Sequence, residues 1–267
     1  MRLVLTLALV LAACSGQAPR EVRDHPSIVS LNPCGDAILA AIAAPGQLLA
    51  ISHYSHDPAA SSMPADKAAH YPASGGTAEE VLALAPDMVV ADPFIQPATR
   101  RALEQAGIAV QTLGMVSTLE ESLAQIAALG EATGNPARAE RLSREIEASW
   151  QSHRWEREPV TALLWQQGGI VAGEGSLAHA LLEHSGFASH AAARGLGQGA
   201  YVPLENVLAD PPRVVITAGD ERMFDHPAMQ LASGIEHYDL DPALLYCGGP
   251  TIPRALDRLG EIRRQVP

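Results

Sequence analysis

The sequence predicts an α/β protein of two lobes with mainly parallel sheets, joined by a long rigid interdomain helix. Short β-branched runs that suit buried strands alternate with amphipathic helical segments along most of the 267 residues. A hydrophobic fraction of 47% is ample for the packed cores of such lobes. One sequence unit also occurs twice, which is the strongest indication of two similar halves.

The repeated unit covers Glu79–Val90 and returns at Glu205–Ile216, with six identical positions. Each copy contains a glutamate, an apolar helical face, a proline that ends the helix, and a short apolar run. Such runs suit strands that are buried on both faces of a sheet. The two copies therefore predict two αβ units, each of which presents one glutamate at an equivalent place.

The N-terminus resembles an export signal over residues 1–13. Arg2 precedes an apolar run that is too short to span a bilayer as a helix. Small residues then precede Cys14, as in bacterial lipoprotein signals, in which cleavage leaves a lipidated cysteine at the N-terminus. An ordinary export signal with an incidental cysteine is the alternative. We expect an exported protein with a flexible leader over residues 14–26, anchored to the membrane by lipid on Cys14.

The charge balance excludes one class of partner. The chain has 18 basic and 30 acidic residues, a net charge of −12. Nucleic acids require clustered lysine and arginine that neutralise phosphates. The acidic surface therefore predicts no binding of nucleic acid, and it also argues against docking on anionic lipid.

Two cysteines remain if lipid consumes Cys14. Cys34 and Cys247 could pair in an oxidising exported compartment. The alternative is two separate buried thiols, which behave as small hydrophobic side chains. The sequence leaves both possibilities open.

The first lobe, residues 27–117, alternates strands and helices. Strands are predicted at Ser27–Leu31, Leu48–Tyr54, Met88–Ala91 and Ala109–Leu113, and helices at Asp36–Ala44 and Pro97–Ala106. Thr77 is expected to cap the helix of the first repeat copy, with Glu80 completing a capping box. The loop that ends at Gly76 is long enough to suggest a function.

Two consecutive helices form a connector over residues 118–158. Thr118 heads the first helix in a capping box, and Asn135 is expected to cap the second, with Pro136 at its first position. The second helix is predicted to run to about Glu156, which gives it a length of about 30 Å. A helix of that length between two lobes can act as a stiff strut.

The second lobe, residues 159–267, holds the second repeat copy. Other strands are predicted at Thr161–Gln167, Ile170–Ala172 and Leu244–Cys247, and helices at Ser176–Ser185, about His226–Ser233, and Pro253–Val266.

Enzyme signatures are poor. His179 and His184 resemble part of a zinc-protease motif, but five positions of helix turn them roughly 140° apart. Gly195–Gly199 is rich in glycine without spelling a dinucleotide fingerprint. We therefore predict no enzymatic activity and no cofactor.

A histidine-rich loop offers one alternative function. His53, His56, Asp57 and His70 supply imidazole and carboxylate groups that suit zinc or manganese. The spacing is common by chance, and solvated loop histidines are the other interpretation. A binding protein for free zinc or manganese, using His53, His56 and His70, therefore stays an alternative.

The repeated glutamates need their own explanation. Glu80 already has a capping role, but Glu79 and Glu205 have none. An acid near a helix N-terminus stabilises the helix by about 0.3–1 kcal/mol. That interaction does not explain why both lobes place the acid at the same offset from a proline. We therefore favour a symmetric docking role for Glu79 and Glu205.

Together these features resemble the periplasmic substrate-binding proteins of ABC importers for cobalamin and iron chelates, the helical-backbone type that binds vitamin B12 or ferric siderophores. The segments that carry the resemblance are Ile28–Pro33, Leu49–Ser55, and the two copies that begin at Glu79 and Glu205. It covers the chain from Ile28 to the terminal helix. The resemblance implies a periplasmic location, a rigid connecting helix and a shallow ligand cleft between the lobes.

The resemblance also implies the partners. Glu79 and Glu205 would pair with arginines on the two subunits of an inner-membrane permease, which works with its ATPase. Two acids on a rigid body can register a twofold partner and steer it electrostatically. We expect the protein to be monomeric when free.

The ligand is a small-molecule metal chelate in this comparison: cobalamin or another corrinoid, haem, or a ferric siderophore. The tryptophans that line the cleft in cobalamin-binding members are absent before each glutamate, and no arginine cluster suits an anionic siderophore. A bulky chelate of low charge, such as a corrinoid or haem-like tetrapyrrole, fits best. The residues expected to contact it are Asn32, Tyr54, Asp92, Phe94, Trp165, Tyr201, Tyr246 and Cys247.

Overall fold

Mainly parallel strand pairing builds one five-stranded sheet in each half of the chain. The computed structural model describes residues 25–219, 226–230 and 234–267. Its two α/β lobes confirm the predicted fold class. The predicted signal peptide, Cys14 and nearly all of the leader lie outside the described residues, as does the end of the helix predicted to reach Ser233.

The first lobe has an all-parallel sheet with strand order β3-β2-β1-β4-β5. Its elements are β1 (Ile28–Ser30), α1 (Pro33–Ile42), β2 (Leu48–Ser52), α2 (Ala65–Ala68), β3 (Ala73–Ser74), α3 (Ala78–Leu84), β4 (Met88–Ala91), α4 (Pro97–Gln105) and β5 (Ala109–Thr112). The strand predicted to reach Tyr54 ends at Ser52, because His53–His56 form a 3-10 turn headed by the Ser52 hydroxyl.

The connector consists of α5 (Leu119–Ala132) and α6 (Pro136–Ser152). The 17 residues of α6 span about 25 Å, and the helix ends before the predicted Glu156. The prediction that Asn135 caps α6 is wrong, because its side chain makes no capping hydrogen bond. Its amide donates instead to Gln47 Oε1 at 2.7 Å and to the Thr133 carbonyl at 2.9 Å, so it joins the connector to the first lobe.

The second lobe has strand order β10-β9-β6-β7, and β8 also pairs with β6. Its elements are β6 (Val160–Gln166), β7 (Ile170–Val171), α7 (Leu177–His184), β8 (Phe187–Ser189), α8 (Leu204–Ala209), β9 (Val214–Ala218), α9 (Pro227–Gln230), β10 (Glu236–Leu240) and α10 (Thr251–Gln265). The antiparallel partner of β6 is β7, and the other strand pairs of this sheet are parallel.

The last strand was predicted in the wrong place. Leu244–Cys247 do not form a strand, and β10 lies earlier, at Glu236–Leu240. Asp241 Oδ1 accepts a hydrogen bond from the Ala243 amide and heads a 3-10 turn at Pro242–Leu244. That turn uses the backbone that a strand would need.

The two repeat copies occupy equivalent places in the two lobes. In each copy a short helix, α3 or α8, leads into a buried strand, β4 or β9. Each of these strands pairs in parallel with the first strand of its own sheet, β1 or β6. The duplicated sequence therefore corresponds to a duplicated position in the fold.

One apolar cluster runs through both lobes and the connector. It includes side chains from β1, α1, α5, α6, β6, β9 and α10, among them Ile28, Ile42, Ile146, Leu164 and Leu256, all with an exposed fraction of at most 1%. Because the cluster is continuous, a change in the angle between the lobes would open packed apolar surface to water.

Helix α6 begins on the first lobe and ends on the second. Arg138 Nη1 donates to the Ala43 carbonyl at 2.7 Å beside α1. At the other end, the Trp150 carbonyl lies 2.6 Å from His184 Nε2, and the two rings stack with centroids 3.8 Å apart. The interdomain helix predicted from the sequence is therefore tied to both lobes.

Helix α10 is a second strut, which the sequence did not indicate. Near its start, Arg254 Nη1 donates to the Ser62 carbonyl of the first lobe at 2.9 Å. Near its end, Arg263 Nε donates to the Gly186 carbonyl of the second lobe at 2.9 Å.

Within the part of the chain that the structure describes, none of the helices combines the length and the apolar character that a membrane span requires.

A disulfide between Cys34 and Cys247 also joins the lobes. It links α1 to the segment before α10, which also contacts the connector through a hydrogen bond from the Gly249 amide to Ser122 Oγ on α5. A side chain at Gly248 would place its Cβ 2.7 Å from the same hydroxyl, so this close approach requires glycine. Of the two possibilities left open by the sequence, the structure has the disulfide.

Replacing both Cys34 and Cys247 by serine should lower the free energy of unfolding by up to roughly 5 kcal/mol, because the bond closes a loop of 213 positions. Urea unfolding monitored by circular dichroism, with and without reductant, measures the loss. The double variant should not respond to reductant, whereas the wild-type protein should. Equal stability of the two proteins under oxidising conditions would contradict this interlobe tie.

Candidate functional site

A cavity lies between the lobes, where the carboxyl ends of parallel strands from the two sheets meet. Its volume is about 380 Å³. The first lobe contributes the segments after β1, β4 and β5, and the second contributes the end of β6, β7 and the segment after β10. Binding sites of α/β proteins form at such strand ends, so this cleft is the candidate functional site.

The start of α1 fixes one wall of the cleft. Asn32 Oδ1 accepts hydrogen bonds from the amides of Cys34 and Gly35, each at 2.9 Å, and so caps the helix. Cys34 therefore reaches its disulfide partner Cys247 from a fixed helix end, and both cysteines line the cavity.

A buried carboxyl group supports the same wall. Asp36 is fully buried, and burial raises its pKa from 3.8 to about 7 despite hydrogen bonds that favour the charged form. Its Oδ2 accepts from the Ser52 amide at 3.0 Å and from Ser55 Oγ at 2.6 Å. Asp36 therefore ties the first turn of α1 to the 3-10 turn after β2.

The walls of the cleft carry little charge. Asp92 is the one charged side chain among the described residues that line the cavity. Its Oδ1 accepts a hydrogen bond from the Phe94 amide at 2.6 Å, which shapes the turn after β4. The other polar side chains are hydroxyl and carboxamide groups: Asn32, Gln125, Gln166, Ser176, Gln198 and Tyr246.

Large apolar side chains in the walls are unusually exposed. The exposed fraction is 83% for Phe94, 81% for Met115, 44% for Tyr246 and 42% for Ile170. A concentration of such side chains around one cavity marks a surface that gains stability when an apolar partner covers it. The cleft is therefore suited to a bulky ligand with apolar faces.

Tyr246 is held in its neutral form. Its hydroxyl donates to the Ala59 carbonyl at 2.9 Å, across the two lobes. Burial raises the pKa of this phenol, and the nearby carboxylates of Asp241 and Asp57 raise it further. Tyr246 is therefore a neutral phenol whose hydroxyl is held by Ala59 while the residue lines the cleft.

Five of the residues predicted to contact ligand line the cavity: Asn32, Asp92, Phe94, Tyr246 and Cys247. Tyr54 and Tyr201 are exposed but lie outside its walls. Trp165 is a correction, because its exposed fraction is 2%. It lies in β6, between β7 and β9, and its Nε1 donates to the Val202 carbonyl at 3.1 Å inside the second lobe.

The sequence did not identify several wall residues. Five of them lie at strand ends or in loops, and the sixth, Gln125, lies on a helix: Met115, Gln166, Ile170, Ser176, Gln198 and Gln125. Met115 and Gln166 could have been selected because they lie at the carboxyl ends of β5 and β6. Gln125 lies on α5, and only the packing of that helix against the cleft brings it to the wall.

The histidine-rich loop does not form a metal site. Among the described residues, which include all four candidates, no group of three or more histidine, cysteine or acidic side chains is placed to hold a metal ion. His53 Nδ1 lies 3.3 Å from the Ser74 carbonyl, and His70 Nδ1 lies 2.8 Å from the Asp66 carbonyl. His56 and Asp57 are exposed.

The repeated glutamates lie where the sequence predicted, in the first turns of α3 and α8. Both are exposed, and neither forms an ion pair within the described part of the chain. Glu79 and Glu205 are therefore available to a partner.

The capping box predicted for Thr77 and Glu80 is only half formed. The Thr77 hydroxyl accepts a hydrogen bond from the Glu80 amide, but the Glu80 carboxylate accepts from the Gly75 amide and not from Thr77.

Comparisons with known proteins agree with this architecture. The sequence model of the periplasmic binding protein family matches residues 28–244. No curated protein sequence matches this chain.

Solved structures of similar fold include two periplasmic haem-binding proteins and one vitamin B12-binding protein. RhuT from Roseiflexus sp. RS-1 has a TM-score of 0.69 and 21% identity, over 89% of this chain and 96% of that chain. The haem-binding protein of Pseudomonas aeruginosa has a TM-score of 0.68 and 23% identity, over 91% and 94%. The B12-binding protein BtuF of Vibrio cholerae has a TM-score of 0.63 and 19% identity, over 91% and 98%. At these identities the similarity establishes the fold.

Proposed function

Because this chain belongs to the family of periplasmic binding proteins, we propose that it captures a metal tetrapyrrole, haem or a corrinoid, in the interlobe cleft. It delivers this ligand to an ABC importer, that is, to a permease with its ATPase. The observation that carries the proposal is the cleft itself, with exposed apolar side chains in its walls and a single charged residue among those described. The haem- and B12-binding proteins of similar fold support the same ligand class.

The charge of the walls favours a tetrapyrrole over a ferric siderophore. A highly anionic chelate requires arginine or lysine around it, and the described wall residues include neither. A tetrapyrrole presents a broad apolar face, and its polar substituents lie on the edge. The carboxamides of Gln125, Gln166 and Gln198 can hydrogen-bond such an edge, while Phe94 and Met115 cover the face.

The exposed apolar residues supply the binding energy. Complete burial of a side chain the size of phenylalanine or methionine contributes about 1.5–3 kcal/mol. Phe94 and Met115 are both almost fully exposed without ligand, so each has most of that contribution available. The disulfide and the capped start of α1 hold part of the cleft wall fixed, which lowers the entropy lost on binding.

Titration of the purified protein should detect tight binding of haem by its absorbance band, or of cyanocobalamin by quenching of tryptophan fluorescence. Phe94→Ala and Met115→Ala should each weaken binding about tenfold, which corresponds to about 1.4 kcal/mol. Leu84→Ala is the matched control, because Leu84 is an exposed apolar residue on α3, outside the cleft.

Thermal-shift measurements with a ferric siderophore add a third ligand to haem and cyanocobalamin. Binding of the siderophore alone, or of none of the three ligands, would contradict the proposal. Equal affinity in the Phe94 and Met115 variants would show that the ligand does not occupy this cleft.

Docking on the permease is assigned to Glu79 and Glu205. Their support is the shared position in the two repeat copies, the exposure of both carboxylates, and the lack of ion pairs to either within the described residues. A permease with two symmetric subunits can present one cation to each acid. Such charge pairs increase the association rate and fix the orientation of the complex.

Reversing both charges, with Glu79→Lys and Glu205→Lys, should abolish ligand uptake by cells and leave ligand affinity unchanged, because neither residue lines the interlobe cavity. The matched control reverses Glu120 and Glu147, two exposed acids on α5 and α6. Uptake assays with radiolabelled or coloured ligand compare the two double variants. A loss of ligand affinity in the first variant would refute the docking assignment.

The lipid anchor on Cys14 belongs to the same proposal. Its support is the sequence around Cys14, which resembles a lipoprotein signal, and the periplasmic location of the family. An anchor keeps the protein near the permease and raises the local concentration of the ligand-loaded form.

A further inference from the structure

A small pocket, separate from the ligand cleft, lies between α1, α2 and the first residues of α10. Its volume is about 70 Å³, and none of its wall residues lines the interlobe cavity. A single buried water needs about 10–15 Å³ of such space. The pocket therefore has room for a small ion of several heavy atoms.

The charged side chains of this pocket are both basic. Lys67 on α2 and Arg254 on α10 line it, and no acidic side chain joins them among the described residues. Within the same part of the chain, neither of them forms an ion pair. Arg254 Nη1 donates to the Ser62 carbonyl, which holds the guanidinium at the pocket and uses one of its five N–H donors. In a chain with an excess of acids, such a pair of cations favours an anionic ligand.

The hydroxyl of Ser62 points independently to a ligand. Ser62 forms part of the pocket wall, and its exposed fraction is 2%. Its Oγ is buried and has no hydrogen-bond partner among the described residues. Buried polar groups are nearly always paired, because an unpaired one raises the free energy of the fold. An acceptor atom in the pocket would satisfy this hydroxyl.

The start of α10 adds to the positive potential. Pro250, the N-cap of this 15-residue helix, makes no side-chain hydrogen bond to the first turn, and Thr251 is its first residue. Both residues line the pocket. Helix N-termini carry a partial positive charge that favours anions. Two cations, a hydroxyl donor and a helix N-terminus together suit an oxyanion.

We propose that this pocket binds a small tetrahedral oxyanion, inorganic phosphate or sulfate. Lys67 and Arg254 neutralise its charge, and Ser62 donates a hydrogen bond to one of its oxygens. The ion ties α2 of the first lobe to α10, beside the existing contact between Arg254 and Ser62. This site goes beyond the capture of a tetrapyrrole and does not depend on it.

The net charge of the chain favours the free ion over a lipid headgroup with the same phosphate chemistry. A net charge of −12 repels the anionic surface of a membrane. A free ion experiences mainly the nearby cations, because charges more than about 8–10 Å away are screened at physiological ionic strength.

Isothermal titration calorimetry with inorganic phosphate, and separately with sulfate, tests the site in chloride buffers of constant ionic strength. Ser62→Ala should weaken binding at least about fivefold, because it removes a hydrogen bond to a charged group. The same change should not lower the melting temperature in chloride, since it removes an unpaired buried hydroxyl. Ser185→Ala is the matched control and should bind like the wild type, because the Ser185 hydroxyl is also buried and unpaired among the described residues but lies outside the pocket.

A charge reversal provides a second test. Lys67 is exposed, so Lys67→Glu should fold normally, as circular dichroism can verify, and should abolish binding of phosphate and sulfate. Arg101→Glu changes the net charge equally at an exposed position of α4, outside the pocket, and should leave binding intact. Both anions also stabilise proteins at high concentration through exclusion from the surface. That effect is the same in all four variants, so the differences between the variants report the pocket.

Loss of binding in Ser62→Ala and Lys67→Glu, with normal binding in both controls, supports the site. No binding of either anion by the wild type would overturn it, as would equal affinity in all variants. Flotation of Cys14→Ser protein with phosphatidylglycerol vesicles distinguishes the source of the phosphate. Flotation that Lys67→Glu removes would identify a lipid headgroup and overturn the assignment to a free ion.

Discussion

Apolar side chains from both lobes pack into one cluster along α6 and α10, and this packing holds the two sheets at a fixed separation. Each helix is hydrogen-bonded to the first lobe near its start and to the second lobe near its end. The disulfide adds a covalent tie at the cleft. A hinge motion would have to break this packing. The free energy required is larger than for two separate domains that slide past each other at a hydrated interface.

The fixed separation explains how a cleft with so few charges can select a ligand. Walls that do not move must fit the ligand by shape and by the placement of polar groups. The exposed ring of Phe94 and the thioether of Met115 provide apolar surface, and carboxamides such as Gln166 provide directional contacts. The same rigidity would keep Glu79 and Glu205 at one spacing, which is what a symmetric permease requires of a docking surface. Ligand capture and docking on the permease would then both depend on the fixed separation of the two lobes.

Much of the fold follows from the sequence because its signals are local. The repeat copies predicted β4 and β9 correctly, since proline and β-branched runs act within a few residues. The last strand was misplaced because Leu244–Cys247 is an apolar run that looks like a strand in isolation. The segment instead follows a turn headed by Asp241 and contacts the first lobe through Tyr246 and Cys247. The role of Asn135 was mistaken for a similar reason, since its partner Gln47 is distant in the sequence.

The site was harder to predict than the fold. Residues within two positions of a strand end, such as Asn32 and Asp92, could be selected because parallel strands bring their ends together. Trp165 also lies near a strand end, but its side chain points into the lobe. Because both faces of a fully buried strand are apolar, the sequence pattern does not show which face a given residue lies on. Whether Cys34 and Cys247 meet depends on the path of α10, which the sequence does not reveal.

The distance between the lobes tests the central claim most directly. Spin labels on cysteines at Ala83 of α3 and Ala209 of α8, both exposed, would report it by pulsed electron resonance, with Cys14 replaced by serine. A rigid two-lobe body predicts one narrow distance distribution that shifts by less than about 2 Å when haem or cyanocobalamin binds. A broad distribution, or closure by several times that distance, would contradict the account.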